Sequence, residues 1–117
     1  MGHTINSQIP VETVAPGMTR QIMGYDKDLM LVKVNFEEGA IGYKHKHPHQ
    51  QVSYVVNGKF EVEIAGIKEI LGEGDCFVVP ENSIHGVVCL KEGILIDTFS
   101  PMREDFVDGK KLGDKTK

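Results

Sequence analysis

The sequence lacks the features that mark several common functional classes. Its 117 residues carry a formal net charge of −4 and contain no cluster of lysines or arginines, so we expect no nucleic-acid partner. No apolar run approaches the roughly 20 residues that a membrane span requires, so we expect no membrane partner. The opening residues, MGHTINSQIPVE, have neither a charged n-region nor an apolar h-region. No secretory signal is therefore expected.

Cysteine is also scarce. The two that are present, Cys76 and Cys89, lie in apolar strand-like runs. We interpret them as buried, reduced thiols in a cytoplasmic protein, because disulfides are rare in that compartment. A disulfide between them remains an alternative, because the sequence does not give the distance between the two cysteines. Neither cysteine has an activating base beside it, so we assign neither a catalytic role.

What the sequence does contain is a series of short strand signals. Seven or eight runs of alternating or apolar residues are separated by turn residues, and no segment shows sustained helical periodicity. We predict tight turns at Asn57-Gly58, at Ala65-Gly66 and at residues 91–93. The run at residues 28–36 is apolar on both faces, which predicts a strand covered on both sides. The fold class is therefore all-β, as an antiparallel barrel or a jelly roll.

The chain has the size of one domain with an ordinary hydrophobic core. We divide it into an N-terminal arm with short strands, a barrel, and a C-terminal segment that ends in a disordered tail. These regions are residues 1–27, 28–100 and 101–117 respectively.

A histidine-rich stretch provides the strongest chemical signal. His45 and His47 are two residues apart, so in a strand they point to the same side. Gln51 follows shortly afterwards, and His85 lies far away in another strand-like run. A close pair with a distant partner is how a folded sheet builds a metal site. The alternative is that these are ordinary histidines without a metal; His49, on a bend after Pro48, is expected to be solvated, and His3 to have no role.

The spacing of these residues resembles the two-block signature of the cupin superfamily. The first block runs from Gly39 through His45, His47 and Gln51 to Gly58, and the second from Gly74 through Pro80 to His85. Gln51 stands where many cupins have Glu, Asn82 where Gly is usual, and Cys89 where Asn often stands. The resemblance implies a single-domain cupin-type double-stranded β-helix, which is a jelly-roll barrel. It also implies one divalent ion held by His45, His47, Gln51 and His85.

A second segment narrows the resemblance. The residues DTFSPMREDF, at positions 97–106, together with HKHPHQQVSYVVNG, are similar to the small single-domain cupins known as pectin-degradation proteins. Members of that family open unsaturated uronate monosaccharides. The resemblance implies a sugar-acid substrate and a homodimer. It supports catalytic roles for Asp97 and Arg103 and substrate-binding roles for Phe99 and Arg103; the alternative for Asp97 is a structural ion pair with Arg103.

Several functions remain open from the sequence. The ligand types admit Zn, Ni, Co, Mn or Fe(II) without choosing among them. The main hypothesis is a metal-dependent isomerase that linearises 4,5-unsaturated uronates, with Asp97 transferring a proton. The first alternative is a non-catalytic module that binds a sugar acid or another small molecule with the help of the metal. The second is a metal-dependent dioxygenase. This alternative is disfavoured because the neutral Gln51 supplies no negative charge that would stabilise a higher oxidation state of the metal.

Overall fold

The computed structural model of the protein describes residues 2–107. The predicted all-β class is confirmed, because eight strands in this range form one antiparallel sheet. The strands are β1 (Glu12–Ala15), β2 (Met18–Asp26), β3 (Leu29–Phe36), β4 (Ile41–His45), β5 (Gln50–Ile64), β6 (Ile67–Gly72), β7 (Cys76–Val79) and β8 (His85–Ser100). A 3-10 turn, Asn6–Gln8, precedes them, and a helical turn begins at residue 104. The tail for which we expected disorder, residues 108–117, lies outside the described residues.

Two long strands organise the sheet. β5 and β8 pair with each other from Gln50↔Ser100 to Ile64↔His85. β3 pairs with the second half of β8 and β4 with its first half, while β7 and β6 pair with the two halves of β5. β1 and β2 extend the sheet beyond β3. The bends in the two long strands curve this sheet so that one face encloses the core and the other faces outward.

Two of the predicted tight turns are wrong, because the chain does not reverse there. Asn57 and Gly58 lie inside β5, and residues 91–93 lie inside β8. The pairing register shifts on both sides of Asn57, so the two strands bulge and bend together. A Cβ atom on Gly58 would lie 2.5 Å from the carbonyl oxygen of Glu92 and 2.6 Å from the Cα of Gly93. The glycine therefore permits two backbones to approach closely. The turn predicted at Ala65-Gly66, with φ of 50° and 85°, is confirmed.

The core lies on the inner face of the sheet. In β3 the side chains alternate, with Met30, Val32 and Val34 buried while Leu29 and Leu31 on the other face are 60% and 38% exposed. Within the single chain, β3 is thus covered on one side only, which differs from the two-sided cover we expected. On the inner face, Phe36 meets Phe60 edge to face at 5.1 Å between ring centroids.

The N-terminal residues are held against the sheet by side chains of β2 and β3. The amide nitrogen of Gln21, a buried residue, donates to the carbonyl oxygens of Asn6 and Ile9, both at 3.1 Å. Lys33 Nζ donates to Asn6 Oδ1 at 2.7 Å. The division into arm, barrel and C-terminal segment stays a prediction.

Residues 2–107 include no helix with the length and apolarity that a bilayer crossing needs.

Candidate metal centre and substrate cavity

The three histidines selected from the sequence converge. His45 ends β4 and His85 begins β8, and the two are register partners. His47 follows in the connection to β5. The His85 ring centroid lies 4.4 Å from that of His45 and 4.9 Å from that of His47. One ring nitrogen of each lies within 4.8 Å of the others, so the cluster can hold a metal ion.

Backbone carbonyl groups orient all three rings. The Nδ1 atoms of His45, His47 and His85 lie 2.9, 3.0 and 2.9 Å from the carbonyl oxygens of Tyr43, His49 and Ser83. The hydrogen-bond network therefore assigns the proton to Nδ1 in each ring and leaves Nε2 with a lone pair.

These lone pairs fit a cation. His85 Nε2 is buried and has no hydrogen-bond partner among residues 2–107. Buried polar atoms are normally paired, so an orphaned lone pair facing two other imidazoles is what a ligand for a metal ion requires. Burial lowers the pKa of His85 to about 4, and burial together with the charge of Arg103 lowers the pKa of His47. Both rings are consequently neutral at pH 7, the form that binds metals.

Gln51 contributes a fourth donor next to the histidines. This buried side chain places Oε1 3.0 Å from His47 Nε2, while its amide nitrogen donates to Ser53 Oγ at 2.9 Å. With the His47 proton on Nδ1, two lone pairs face each other across 3.0 Å. A cation held by both atoms would relieve their repulsion, so the residues present fit a divalent ion.

Asp97 lies opposite these groups on β8. It is the register partner of Ser53, whose hydroxyl donates to Asp97 Oδ1 at 2.6 Å. Burial raises the pKa of Asp97 to about 6, although the Ser53 hydrogen bond and the Arg103 charge act in the other direction. Leu95, Asp97 and Phe99 share one side of the strand, and all three line the same cavity.

The C-terminal segment closes another side of that cavity. Arg103 donates through Nε and Nη2 to the two carboxylate oxygens of Asp105, at 3.0 and 2.8 Å. The alternative role of Asp97, an ion pair with Arg103, is not what the structure shows: the helical turn after Arg103 brings Asp105 to the side edge of the guanidinium, and Ser53 is the hydrogen-bond partner of Asp97.

Aromatic stacking holds the same segment. The guanidinium carbon of Arg103 lies 4.2 Å from the centroid of the Phe106 ring and 5.1 Å from that of Phe99. Arg20 of β2 lies 4.0 Å from the Phe106 centroid. Phe106 is thus in contact with two guanidinium groups, an arrangement stabilised by cation–π attraction.

The cavity enclosed by these residues has a volume of about 240 Å³. Its polar lining consists of His45, Gln51, His85, Asp97, Arg20 and Arg103. Its other walls are apolar side chains and glycines of β1, β2, β3, β4, β7 and β8, together with Phe106. A site with few polar groups in an apolar chamber is typical of small-molecule binding.

Sequence reasoning missed three polar residues around the cavity. Ser53 had a usable signal, because it lies two residues after Gln51 on a strand and must point to the same side. Asp105 had a weaker one, its proximity to Arg103 in sequence. Arg20 had none, since only the fold brings β2 next to the C-terminal segment.

Two further expectations need correction. His49 is half-buried rather than solvated, with its Nδ1 atom buried, and its ring centroid lies 5.6 Å from that of His47. Cys89 is buried as expected, but Cys76 is exposed on the outer face of the sheet. Both thiols are free.

Comparisons with known proteins agree with this geometry. The Cupin domain family model matches residues 32–97. Pectin degradation protein KdgF of Dickeya dadantii (strain 3937) is 50% identical over 105 residues, which cover 88% of this chain and 96% of that protein.

Solved structures extend the likeness to the fold. An RmlC-like cupin from Shewanella frigidimarina NCIMB 400 has a TM-score of 0.89 and 48% identity, covering 92% of this chain and 96% of that one. The structure of KdgF from Halomonas sp. has a TM-score of 0.87 and 43% identity, covering 92% and 99%. The predicted cupin-type jelly roll is therefore confirmed, and the chain belongs to the cupin family, as a homologue of pectin degradation protein KdgF.

Proposed function

We propose that this protein converts cyclic 4,5-unsaturated uronate monosaccharides, of the kind released from pectin or related polyuronates, into their linear keto form. The observation that carries the proposal is the placement of Asp97, a metal-competent histidine cluster and an arginine around one small cavity. The 50% identity with a pectin degradation protein supports the substrate class.

His45, His47, His85 and the amide oxygen of Gln51 would hold one divalent ion. The ion supplies Lewis acidity, and a neutral Gln51 ligand leaves its full positive charge available. Three imidazoles and an amide oxygen suit Zn, Ni, Co, Mn or Fe(II). The His45 side is the more exposed part of the cluster and leaves the centre reachable from the cavity mouth.

Arg103 would bind the carboxylate of the substrate. Asp105 occupies Nε and one N–H of Nη2, which is the side edge of the guanidinium. Nη1 and the second N–H of Nη2, at the end of the fork, have no hydrogen-bond partner within residues 2–107, and together they match a carboxylate in a bidentate arrangement. Phe99, which lies beneath Arg103, would stack against the sugar ring.

Asp97 would transfer the proton. The carboxyl group delivers a proton to C4 and accepts one from the water whose hydroxyl group adds to C5, giving a hemiketal. The bond between C5 and the ring oxygen then breaks, which leaves a ketone at C5 and a hydrated aldehyde at C1. Loss of water from C1 restores the formula, so the reaction is an isomerisation. A carboxyl group with a pKa of about 6 is suited to both steps near neutral pH.

The ultraviolet absorbance of the substrate double bond provides the test. Metal-loaded protein should remove this absorbance from a 4,5-unsaturated galacturonate much faster than buffer does, without consuming oxygen. Decay at the rate of buffer would leave a binding module as the function. Oxygen consumption with bound Fe(II) would indicate a dioxygenase.

We further propose that the protein is a homodimer that uses the outer face of the sheet formed by β3, β8, β5 and β7. In register across these strands, Leu31, Thr98, Val52 and Val78 form one row. Val52 and Val78 are 44% and 59% exposed. An exposed, largely apolar face of this kind can meet a second copy of itself about a two-fold axis.

Introducing a charge into that face tests the dimer. V52E should give a monomer in sedimentation experiments, whereas I67E, which changes a 69% exposed residue on the edge strand β6, should leave the mass unchanged. A monomeric wild type would overturn this proposal. The free thiols of Cys76 and Cys89 are compatible with the cytoplasm, the compartment that we propose for the reaction.

A further inference from the structure

We infer that Ser53 is a positioning residue that turns the Gln51 amide so that its oxygen faces the metal site, and that links this ligand to Asp97. The inference rests on the proposed metal-dependent function. It concerns a residue that neither contacts the histidines nor lines the cavity.

Ser53 lies between Gln51 and Asp97. Ser53 is fully buried on β5, two residues after Gln51 on the same face and directly opposite Asp97 on β8. Its Oγ lies 2.9 Å from Gln51 Nε2 and 2.6 Å from Asp97 Oδ1. The hydroxyl group is thus in hydrogen-bond contact with a proposed ligand and with the proposed proton-transfer group.

The two hydrogen bonds of the Ser53 hydroxyl have defined directions. A serine hydroxyl has one hydrogen, and Oδ1 of Asp97 can only accept it when the carboxylate is ionised. Towards Gln51, Ser53 therefore offers a lone pair, which only the NH₂ group of the amide can use. The amide oxygen is left facing His47 Nε2.

Without the Ser53 hydroxyl, the Gln51 amide could adopt either of two orientations. The oxygen and nitrogen of a glutamine amide are nearly equal in size, so the group can turn over in the same space. In the turned orientation, NH₂ would donate to His47 Nε2 and occupy the lone pair that a metal needs. Ser53 disfavours that orientation, because two lone pairs, those of Ser53 Oγ and the amide oxygen, would then face each other.

Metal affinity, measured without substrate, tests the inference. Competition with a chelator should show that S53A binds Zn²⁺ or Co²⁺ about 10–100-fold more weakly than wild type, the range typical of partners behind a metal ligand. A carboxylate presents an oxygen in either orientation. In a Q51E background, S53A should therefore change the affinity by no more than about threefold, a non-additivity that reports the coupling.

T98A is the matched control. The Thr98 hydroxyl also bridges β8 and β5, donating to Val52 O at 2.8 Å, but on the outer face of the sheet. Its loss should leave metal affinity unchanged. Should S53A fail to fold, S53C, which is close in size and a weak hydrogen-bonding residue, takes its place with the same expected loss.

Two results would overturn the inference: unchanged affinity in S53A (or in S53C, where it replaces S53A), or an equal loss in the Gln51 and Q51E backgrounds. Failure of the proposed function looks different. In that case wild-type protein binds the metal and shows the Ser53 coupling but does not consume the unsaturated uronate.

Discussion

The cavity has two sides that are built differently. The histidine side consists of His45, His47, Gln51 and His85, which lie in or next to strand ends and are oriented by backbone carbonyls or by Ser53. The C-terminal side consists of Arg103, Asp105 and Phe106, which follow the last strand and are held by contacts between side chains. The first is fixed by the sheet, and the second by stacking and one ion pair.

The two sides of the cavity differ in rigidity, which suits them to different roles. Ligands of a metal must be held rigidly, and a backbone hydrogen bond behind each imidazole provides that rigidity. The Arg103–Asp105 pair contributes little stability, because the Asp105 side chain is 59% exposed and solvent screens the attraction. Such a pair can readjust when a carboxylate enters. We therefore propose that the histidine side binds the metal and that the C-terminal side recognises the substrate.

The largest effect should come from breaking the histidine side. H85A removes the buried Nε2 donor, so we expect metal affinity to fall more than about 100-fold and activity to be lost with it. H49A changes a neighbouring histidine outside the cluster, and its metal affinity should remain within about threefold of wild type. Chelator competition measures both. Equal affinities in the two variants would contradict the assignment of the cluster.

Asp97 stands between the two sides and should show the next largest effect. D97N keeps the shape and can still accept the Ser53 hydrogen bond, but it cannot transfer a proton. We expect turnover of the unsaturated uronate to fall by about 10²–10⁴ while metal affinity changes little. The measurement is the initial rate of absorbance loss at saturating metal. A wild-type rate in D97N would remove Asp97 from the mechanism.

A change on the C-terminal side should act on substrate binding alone. R103K keeps the charge but loses the planar fork, so kcat/KM should fall about 10–100-fold, mainly through KM, with metal affinity unchanged. D105N retains one acceptor for Arg103 and should cost less, about threefold. If R103K weakens the metal instead, the two sides are not separate.

The smallest effect concerns stability. In metal-free protein the pKa of Asp97 is raised from 3.8 to about 6, so the unfolded state releases this proton at lower pH than the folded state. Asp97 therefore favours folding below its unfolded pKa, and this advantage is lost as the pH rises through about 6. D97N does not ionise. Its stability relative to wild type should rise by on the order of 2 kcal/mol between about pH 4 and pH 7.

Thermal unfolding in the presence of chelator measures this difference. His85, with its pKa lowered to about 4, destabilises the folded state in acid, but it is present in both proteins and cancels in the comparison. A stability difference that does not vary with pH would show that Asp97 ionises equally in the folded and unfolded states.

The same comparison explains what the sequence could predict. His45 and His47 on one strand face, and the distance in sequence to His85, follow from strand periodicity and the cupin spacing. Asp97 could be predicted as a site residue, because burying an unpaired carboxylate on an apolar strand is costly. The histidine side could be predicted because its residues lie in or next to strands, where every second side chain points to the same face.

The rest depended on three-dimensional detail. Arg103 could be predicted as a site residue, but its ion-pair partner Asp105 could not, because the sequence does not show that a helical turn follows Arg103. The Asn57-Gly58 pair has the composition of a hairpin turn, yet it marks a bulge where the antiparallel strands β5 and β8 pair. Glycine permits both structures, and only the partner backbone decides between them.

The central claim is that a metal ion on the histidine side and Asp97 together open the ring of an unsaturated uronate. Metal-free protein titrated with Zn²⁺, Ni²⁺ or Mn²⁺, with the rate of absorbance loss recorded at each step, tests it most directly. With the most effective ion, the rate should start near that of buffer and rise until one ion is bound per chain. A metal-free protein as active as the loaded one, or a fully loaded protein without activity, would contradict the account.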